Sequence, residues 1–214
     1  MVRTYFGLPG CGKTTDFARI AVKASRLIDK GKCKYKIIVG NVALKDVPHY
    51  YLIDFKTIGK IGYPKALILI DEATLEADSR SWGVASSALI DYILRHRHWE
   101  NDMFWFTQIW NRLEKTVRDI TEEVVYLHKS IFFPSWTRET RIRYGVMIPK
   151  VGMDRPGEII MGYLQPSKFA QMFEPRFFRP LYYRYFETLE RPNLPWFQCE
   201  EYGNLPAASV PADQ

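Results

Sequence analysis

The chain has 214 residues, 47% of them apolar, which is room for one α/β domain with a sizeable core and little more. No apolar run approaches the roughly 18 residues that cross a bilayer, and with a strand-like run from residue 2 no secretory leader is expected. Three scattered cysteines (Cys11, Cys33, Cys199) exclude a disulfide framework or zinc site and point to a reducing setting, while the net charge of +6 is concentrated in residues 1–36, where nine Lys or Arg face two Asp.

Residues 2–6 read as a strand and residues 13–28 as a helix. Between them Gly7-Leu8-Pro9-Gly10-Cys11-Gly12-Lys13-Thr14 fits the phosphate-loop pattern G-x-x-x-x-G-K-[ST] in its strand–loop–helix context. Glycines let the backbone curl so that its N–H groups converge on a phosphate, and the helix adds its positive end to the same spot. The pattern predicts a site for a nucleoside triphosphate and Mg²⁺. Gly7, Leu8, Pro9, Gly10, Cys11, Gly12, Lys13, Thr14 and Thr15 form the cradle, Lys13 reaches the β- and γ-phosphates, and the Thr14 hydroxyl sits on the metal. Cys11 is expected as a small filler, although a thiol beside a helix N-terminus can also be reactive. Lys30, Lys32, Lys34 and Lys36 alternate after the helix, either as a solvated face or as a contact for nucleic-acid phosphates.

Residues 36–40 read as a second strand and 41–65 as irregular, punctuated by Pro48, Gly59, Gly62 and Pro64. The continuous apolar run 67–70 predicts a strand buried on both faces of a parallel sheet. Asp71 and Glu72 follow it, at the edge where such sheets bind ligands. Asp71 is expected to hold Mg²⁺, through water, and Glu72 to act as general base on the attacking water. A helix is expected over 86–99, ending in Arg95-His96-Arg97-His98. The two histidines are spaced i,i+2, so they diverge and do not form a metal site. Residues 102–108 form a fourth strand ending in Thr107-Gln108. A Gln there is placed to contact the γ-phosphate and report its loss, or else caps the next helix. Asn111 with Glu114 has the form of a capping box, and 123–128 reads as a fifth strand.

Strands alternating with helices predict an α/β P-loop fold: a parallel sheet with helices on both faces. The pattern changes after residue 130. Residues 141–148 and 158–164 form a strand pair, and residues 173–198 interleave aromatics with Arg176, Arg179 and Arg184. Those aromatics are read as an appended layer packed on the domain, with a partner-subunit interface as the alternative. The division is thus an ATPase domain over 1–202, with a core to 130 and a β-containing, aromatic extension over 131–202. A Pro/Ala-rich tail, 203–214, is expected to be disordered.

The ordered set Gly7–Thr14, Ile70-Asp71-Glu72-Ala73, His96-Arg97-His98 and Thr107-Gln108 resembles the zonular occludens toxin (Zot)-like ATPases, which include the gene I assembly proteins of filamentous phages. Val117-Arg118 and Tyr185-Phe186-Glu187-Thr188 are also similar to segments of that family. The family lies near the FtsK–HerA group of hexameric DNA-pumping motors, where an arginine before the Thr-Gln strand acts on a neighbour's nucleotide. Arg97, eleven residues before Gln108, takes that position, with Arg95 and Arg118 in reserve. The resemblance implies a homo-oligomeric, hexameric ring that hydrolyses ATP to drive extrusion of phage single-stranded DNA and virion assembly with phage or membrane proteins. It implies a location on the cytoplasmic side of the bacterial host. The transmembrane helix usual in the family is not in this sequence, which is expected to be either a cytoplasmic portion or a soluble relative, and membrane association would need a missing segment or a partner. A capsid DNA-packaging ATPase is the nearest alternative. A nucleotide-gated adaptor or toxin-like interaction module is the alternative from another class.

Overall fold

In the computed structural model, the described residues are 1–71, 87–110, 113, 115–130, 133–147, 160–164 and 175–186. Among them run β1 (Val2–Phe6), α1 (Lys13–Asp29), β2 (Ile37–Gly40), β3 (Tyr50–Leu52), β4 (Ala66–Ile70), α2 (Ser87–Leu94), β5 (Asp102–Thr107), α3 (Lys115–Ile120), β6 (Glu123–Lys129), β7 (Trp136–Met147), β8 (Ile160–Leu164) and β9 (Arg176–Phe178). All nine strands join one sheet in the order β3-β2-β4-β5-β1-β6-β7-β8, with β9 also on β7. From β3 to β6 every pairing is parallel, and β7 begins an antiparallel run.

The central strands are buried on both faces, and alternation decides what each residue meets. Ala66, Ile68 and Ile70 of β4 and Met103 and Trp105 of β5 share one core with Leu89, Tyr92 and Ile93 of α2 and Val117 of α3. Leu67, Leu69, Phe104 and Phe106 point the other way and meet Phe17, Ala21 and Ala24 of α1. Trp105, Phe106, Phe17 and Leu69 are fully buried. Helices therefore cover both faces, as the alternating pattern predicts.

The structure departs from the sequence reading in several places. A short parallel strand, β3, and a 3-10 turn at Phe55–Thr57 occupy the segment expected to be irregular. Its three residues are too few for any periodicity to register. The helix expected over 86–99 stops at Leu94, and residues 95–100 are turns. At that end the Ile93 carbonyl meets both the His96 ring Nδ1, at 2.8 Å, and the His96 backbone N–H, at 3.4 Å, a local turn in place of a further helical turn. β7 starts at Trp136, upstream of its expected beginning, and β9 and the 3-10 helix Arg179–Tyr185 were not anticipated. β5 ends at Thr107, which leaves Gln108 in the bend beyond it. Asn111, Glu114 and the tail 203–214 lie outside the described residues. No helix among those described is long and apolar enough to cross a membrane.

The 3-10 helix packs on α1. Tyr185 and Phe186 are buried against Ala18 and Val22, and Phe177 is buried beneath the Arg19 guanidinium, 4.7 Å from its ring centre. For these residues the aromatic segment is a packed layer. Phe173, Trp196 and Phe197 lie outside the described residues.

Candidate functional site

Parallel strands leave their carboxyl ends on one edge, and here that edge gathers the residues with chemistry. The Gly7–Gly12 loop follows β1, Asn41 follows β2, Asp71 follows β4 and Gln108 follows β5. β5 lies between β1 and β4. The Phe6↔Thr107 register and a Gly7 N–H···O=C Thr107 bond of 3.4 Å set Gln108 beside the mouth of the loop.

The loop is built by close approach and by backbone sign. A Cβ on Gly7 would lie 2.5 Å from the Leu127 carbonyl oxygen and 2.6 Å from Cys11 Sγ. Gly12 caps α1 with φ +100°, a left-handed conformation that a side chain resists. Lys13 is buried, and its ammonium donates to the carbonyls of Gly7 (3.0 Å) and Leu8 (3.3 Å), so it is folded over the loop. Thr15 is buried behind it, whereas Leu8 at the loop's tip is 65% exposed. Cys11 is buried, and burial pushes its thiol above the ordinary range. Burial and the raised thiol are in keeping with a small filler.

Thr14 Oγ1 donates to Asp71 Oδ2 at 2.7 Å across 57 residues of sequence. A hydroxyl and a carboxylate brought together at a helix N-terminus are hard oxygen donors of the kind that suit Mg²⁺, so this pair fits that ion. Asp71 is itself held at both backbone ends by Asn41. The side-chain amide of Asn41 donates to the Asp71 carbonyl (2.9 Å), and its carbonyl oxygen accepts from the Asp71 N–H (2.8 Å). Sequence reasoning missed Asn41, because a lone Asn after a strand carries no motif.

Two further residues reach the loop from far along the chain. Arg179 Nη1 donates to the Gly10 carbonyl at 3.0 Å, and its Nη2 donates to that of Pro134. The buried Thr137 hydroxyl donates to the Cys11 carbonyl at 2.7 Å. In the sequence only the interleaving of arginines with aromatics marked Arg179, and nothing marked Thr137. The first turn of α1 is tied to the same region: Arg19 pairs with Asp16 at 2.6 Å and also with Glu139 of β7. Burial pushes the Asp16 carboxyl up to about 7. The nearby Arg19 charge opposes that shift and Glu139 adds to it.

Of the predicted site residues, Gly7 to Thr15, Asp71 and Gln108 share one edge. Glu72 lies outside the described residues. Arg97 is elsewhere. It lies in the turn before β5, at the opposite edge of the sheet, 75% exposed and paired with Glu122 at 2.9 Å. The helix end expected to carry it had already closed at Leu94. Arg95 pairs with Asp91 one turn earlier, at 2.7 Å, and Arg118 lies in the last turn of α3. No cluster of three or more metal-binding side chains occurs among the described residues. His96 is buried, and burial lowers its pKa, in keeping with a neutral ring.

Residues 52–135 match the family model of zonular occludens toxin (Zot). No curated protein matches the sequence. Among solved structures, the N-terminal domain of zonular occludens toxin from Neisseria meningitidis aligns with 78% of this chain and 94% of its own, at 19% identity and TM-score 0.46. The DNA-packaging ATPase B204 of Sulfolobus turreted icosahedral virus aligns with 65% of this chain and 91% of its own, at 12% identity and TM-score 0.45. The genome packaging NTPase B204 of Sulfolobus turreted icosahedral virus 2, in complex with ATP-gammaS, aligns at 15% identity and TM-score 0.43, over 60% of this chain and 76% of that one.

Proposed function

We propose that this Zot-like P-loop protein is an ATP-hydrolysing motor that moves phage DNA during virion assembly. The observation that carries the reading is the Thr14–Asp71 contact of 2.7 Å beside a loop whose lysine is folded over it. Two segments separated by a full strand insertion meet where the triphosphate and its metal would have to lie.

The residues divide the work as follows. Lys13 exchanges its two carbonyl partners for phosphate oxygens, a charge-assisted replacement that favours a triphosphate. Loop N–H groups and the α1 N-terminus orient the phosphates. Thr14 and Asp71 would hold Mg²⁺, which when bound neutralises charge developing on the phosphates. Glu72 takes the proton of the attacking water. Gln108, beside the loop mouth, reads the γ-phosphate. Arg97 completes a neighbour's site, which calls for a ring. The basic balance of residues 1–36 favours contact with a polyanion such as DNA.

The test is turnover of ATP with and without single- and double-stranded DNA, alongside DNA binding at two salt concentrations. The motor reading expects DNA-stimulated hydrolysis and binding that weakens steeply with salt and has little sequence preference. Preference for duplex over single strands would favour the packaging alternative. Nucleotide binding without turnover or DNA response would overturn the motor reading in favour of an adaptor.

A further inference from the structure

We infer that Arg179 and Thr137 are positioning residues of the nucleotide site: together they fix two consecutive peptides of the phosphate loop and so preset its curl for phosphate. The inference rests on the nucleotide reading above and adds two residues that lie beyond the loop's own motif.

A peptide unit is planar and trans, so its carbonyl and its N–H point in opposite directions. Fixing the carbonyl therefore aims the N–H. Arg179 Nη1 fixes the Gly10 carbonyl, which belongs to the Gly10–Cys11 peptide. The Thr137 hydroxyl fixes the Cys11 carbonyl, which belongs to the Cys11–Gly12 peptide. Both bonds pull carbonyls toward β7 and the 3-10 helix. The Cys11 N–H turns inward across the loop to the Leu8 carbonyl at 3.2 Å, and the Gly12 N–H points away from Thr137. Without such anchors, a loop with glycines at φ +71° and +100° has cheap alternative peptide orientations.

The fit is tight as well as hydrogen-bonded. A Cβ on Gly12 would lie 2.7 Å from Arg179 Cδ and 2.8 Å from Thr137 Oγ1. Arg179 is itself held, because its second amino group donates to the Pro134 carbonyl and its backbone N–H donates to the Ser135 carbonyl at 3.0 Å. The guanidinium thus bridges the loop to the turn that opens β7. Other docking contacts of the same segment, Tyr185 and Phe186 on α1, leave the loop untouched. The two bonds are therefore not required merely to seat the segment. Because coupling is reciprocal, whatever displaces residues 134–137 or 179 changes nucleotide affinity, and nucleotide changes their mobility.

The test uses the full chain with Arg179→Ala, Thr137→Val, Thr137→Ser and Arg184→Ala. Arg184 lies on the same 3-10 helix but donates to Tyr185. Two readouts are taken: the Kd for ATP with Mg²⁺, and amide exchange of the peptide covering residues 7–15 without nucleotide. Arg179→Ala and Thr137→Val are expected to weaken ATP binding roughly tenfold and to speed loop exchange by a similar factor, the scale of one lost hydrogen bond. Thr137→Ser, which keeps the hydroxyl, and Arg184→Ala should stay within about twofold of wild type on both. Unchanged loop exchange in Arg179→Ala and Thr137→Val, or a loss in Thr137→Ser equal to that in Thr137→Val, would overturn the inference. Altered exchange in a wild-type background that binds no ATP would instead retire the nucleotide reading and leave the brace standing.

Discussion

Lys13 and Glu72 make separable contributions to the proposed chemistry. Lys13 is buried against the loop carbonyls, so its ammonium is pre-positioned for phosphate rather than recruited from solvent. Lys13→Ala should lose ATP binding, read by equilibrium titration. Glu72→Gln should bind ATP as the wild type does and turn over about 10²–10⁴-fold more slowly, the usual range for a general base. Wild-type turnover in Glu72→Gln would remove Glu72 from the mechanism. Asp16 yields a prediction about stability. Its folded pKa, about 7, lies above the 3.8 of the free side chain. Between those values the folded chain binds more protons than the unfolded one, so this group's contribution to stability falls as pH rises through the window. Asp16→Asn should flatten the dependence of Tm on pH between about 4 and 7. An unchanged profile would show that the Arg19 pair outweighs burial and the Glu139 charge and holds Asp16 ionised.

At the scale of elements, the site is a meeting of strand ends, and its precision depends on what ties those ends together. Asn41 joins the end of β2 to Asp71 beyond β4 by two bonds to buried backbone. Losing both bonds leaves polar groups unsatisfied, a cost of about 1–3 kcal/mol. Asn41→Ala should lower Tm and slow turnover together, because Asp71 loses its fixed placement beside Thr14. Turnover equal to wild type, with a lowered Tm, would confine Asn41 to stability. α1 is tied differently: its apolar face packs on β4 and β5, and its polar first turn reaches β7 through Arg19. One helix thus links the loop to strands on both sides of it.

At the scale of the molecule, the proposed site residues divide between the two edges of the sheet. The loop, Asp71 and Gln108 occupy the carboxyl edge, and Arg97 occupies the other. The six residues of β5 put roughly 15–20 Å between them at about 3.3 Å per residue. Arg97 is too far from the loop of its own chain to act there. If it acts on nucleotide, that nucleotide is held by a neighbour. Its exposed pair with Glu122 is a weak restraint and does not prevent this. Arg97→Ala should bind ATP normally and hydrolyse it about 10³–10⁵-fold more slowly, as for other arginine fingers. Mixing it with Glu72→Gln should restore turnover at interfaces where an intact Glu72 meets an intact Arg97. Mixed assemblies that form yet stay as inactive as either parent would end the trans assignment.

Local order was legible in the chain because local physics produces it. Consecutive residues decide whether a backbone can curl around phosphate, so Gly7 to Thr14 could be read directly. A continuous apolar run marked β4 as a strand buried on both faces and an aromatic-rich run marked β5 as a strand, and that in turn put Asp71 and Gln108 at strand ends. Helix length was less legible: the expected helix ran to residue 99, but α2 closes at Leu94, where the apolar stripe gives way to Arg95-His96-Arg97-His98 and the His96 ring lies against the Ile93 carbonyl. Sheet order lay beyond the pattern altogether. The insertion of β5 between β1 and β4, and the antiparallel return of β7 beside β6, depend on which strands pair across gaps of tens of residues. That pairing decided that Thr14 meets Asp71, that Asn41 clasps it, and that Arg97 stands on the far edge. It also brought Thr137 and Arg179 onto a loop 126 and 169 residues away. A motif records only what neighbouring residues do to one another, whereas a hydrogen bond across the fold exists only once the whole sheet has closed.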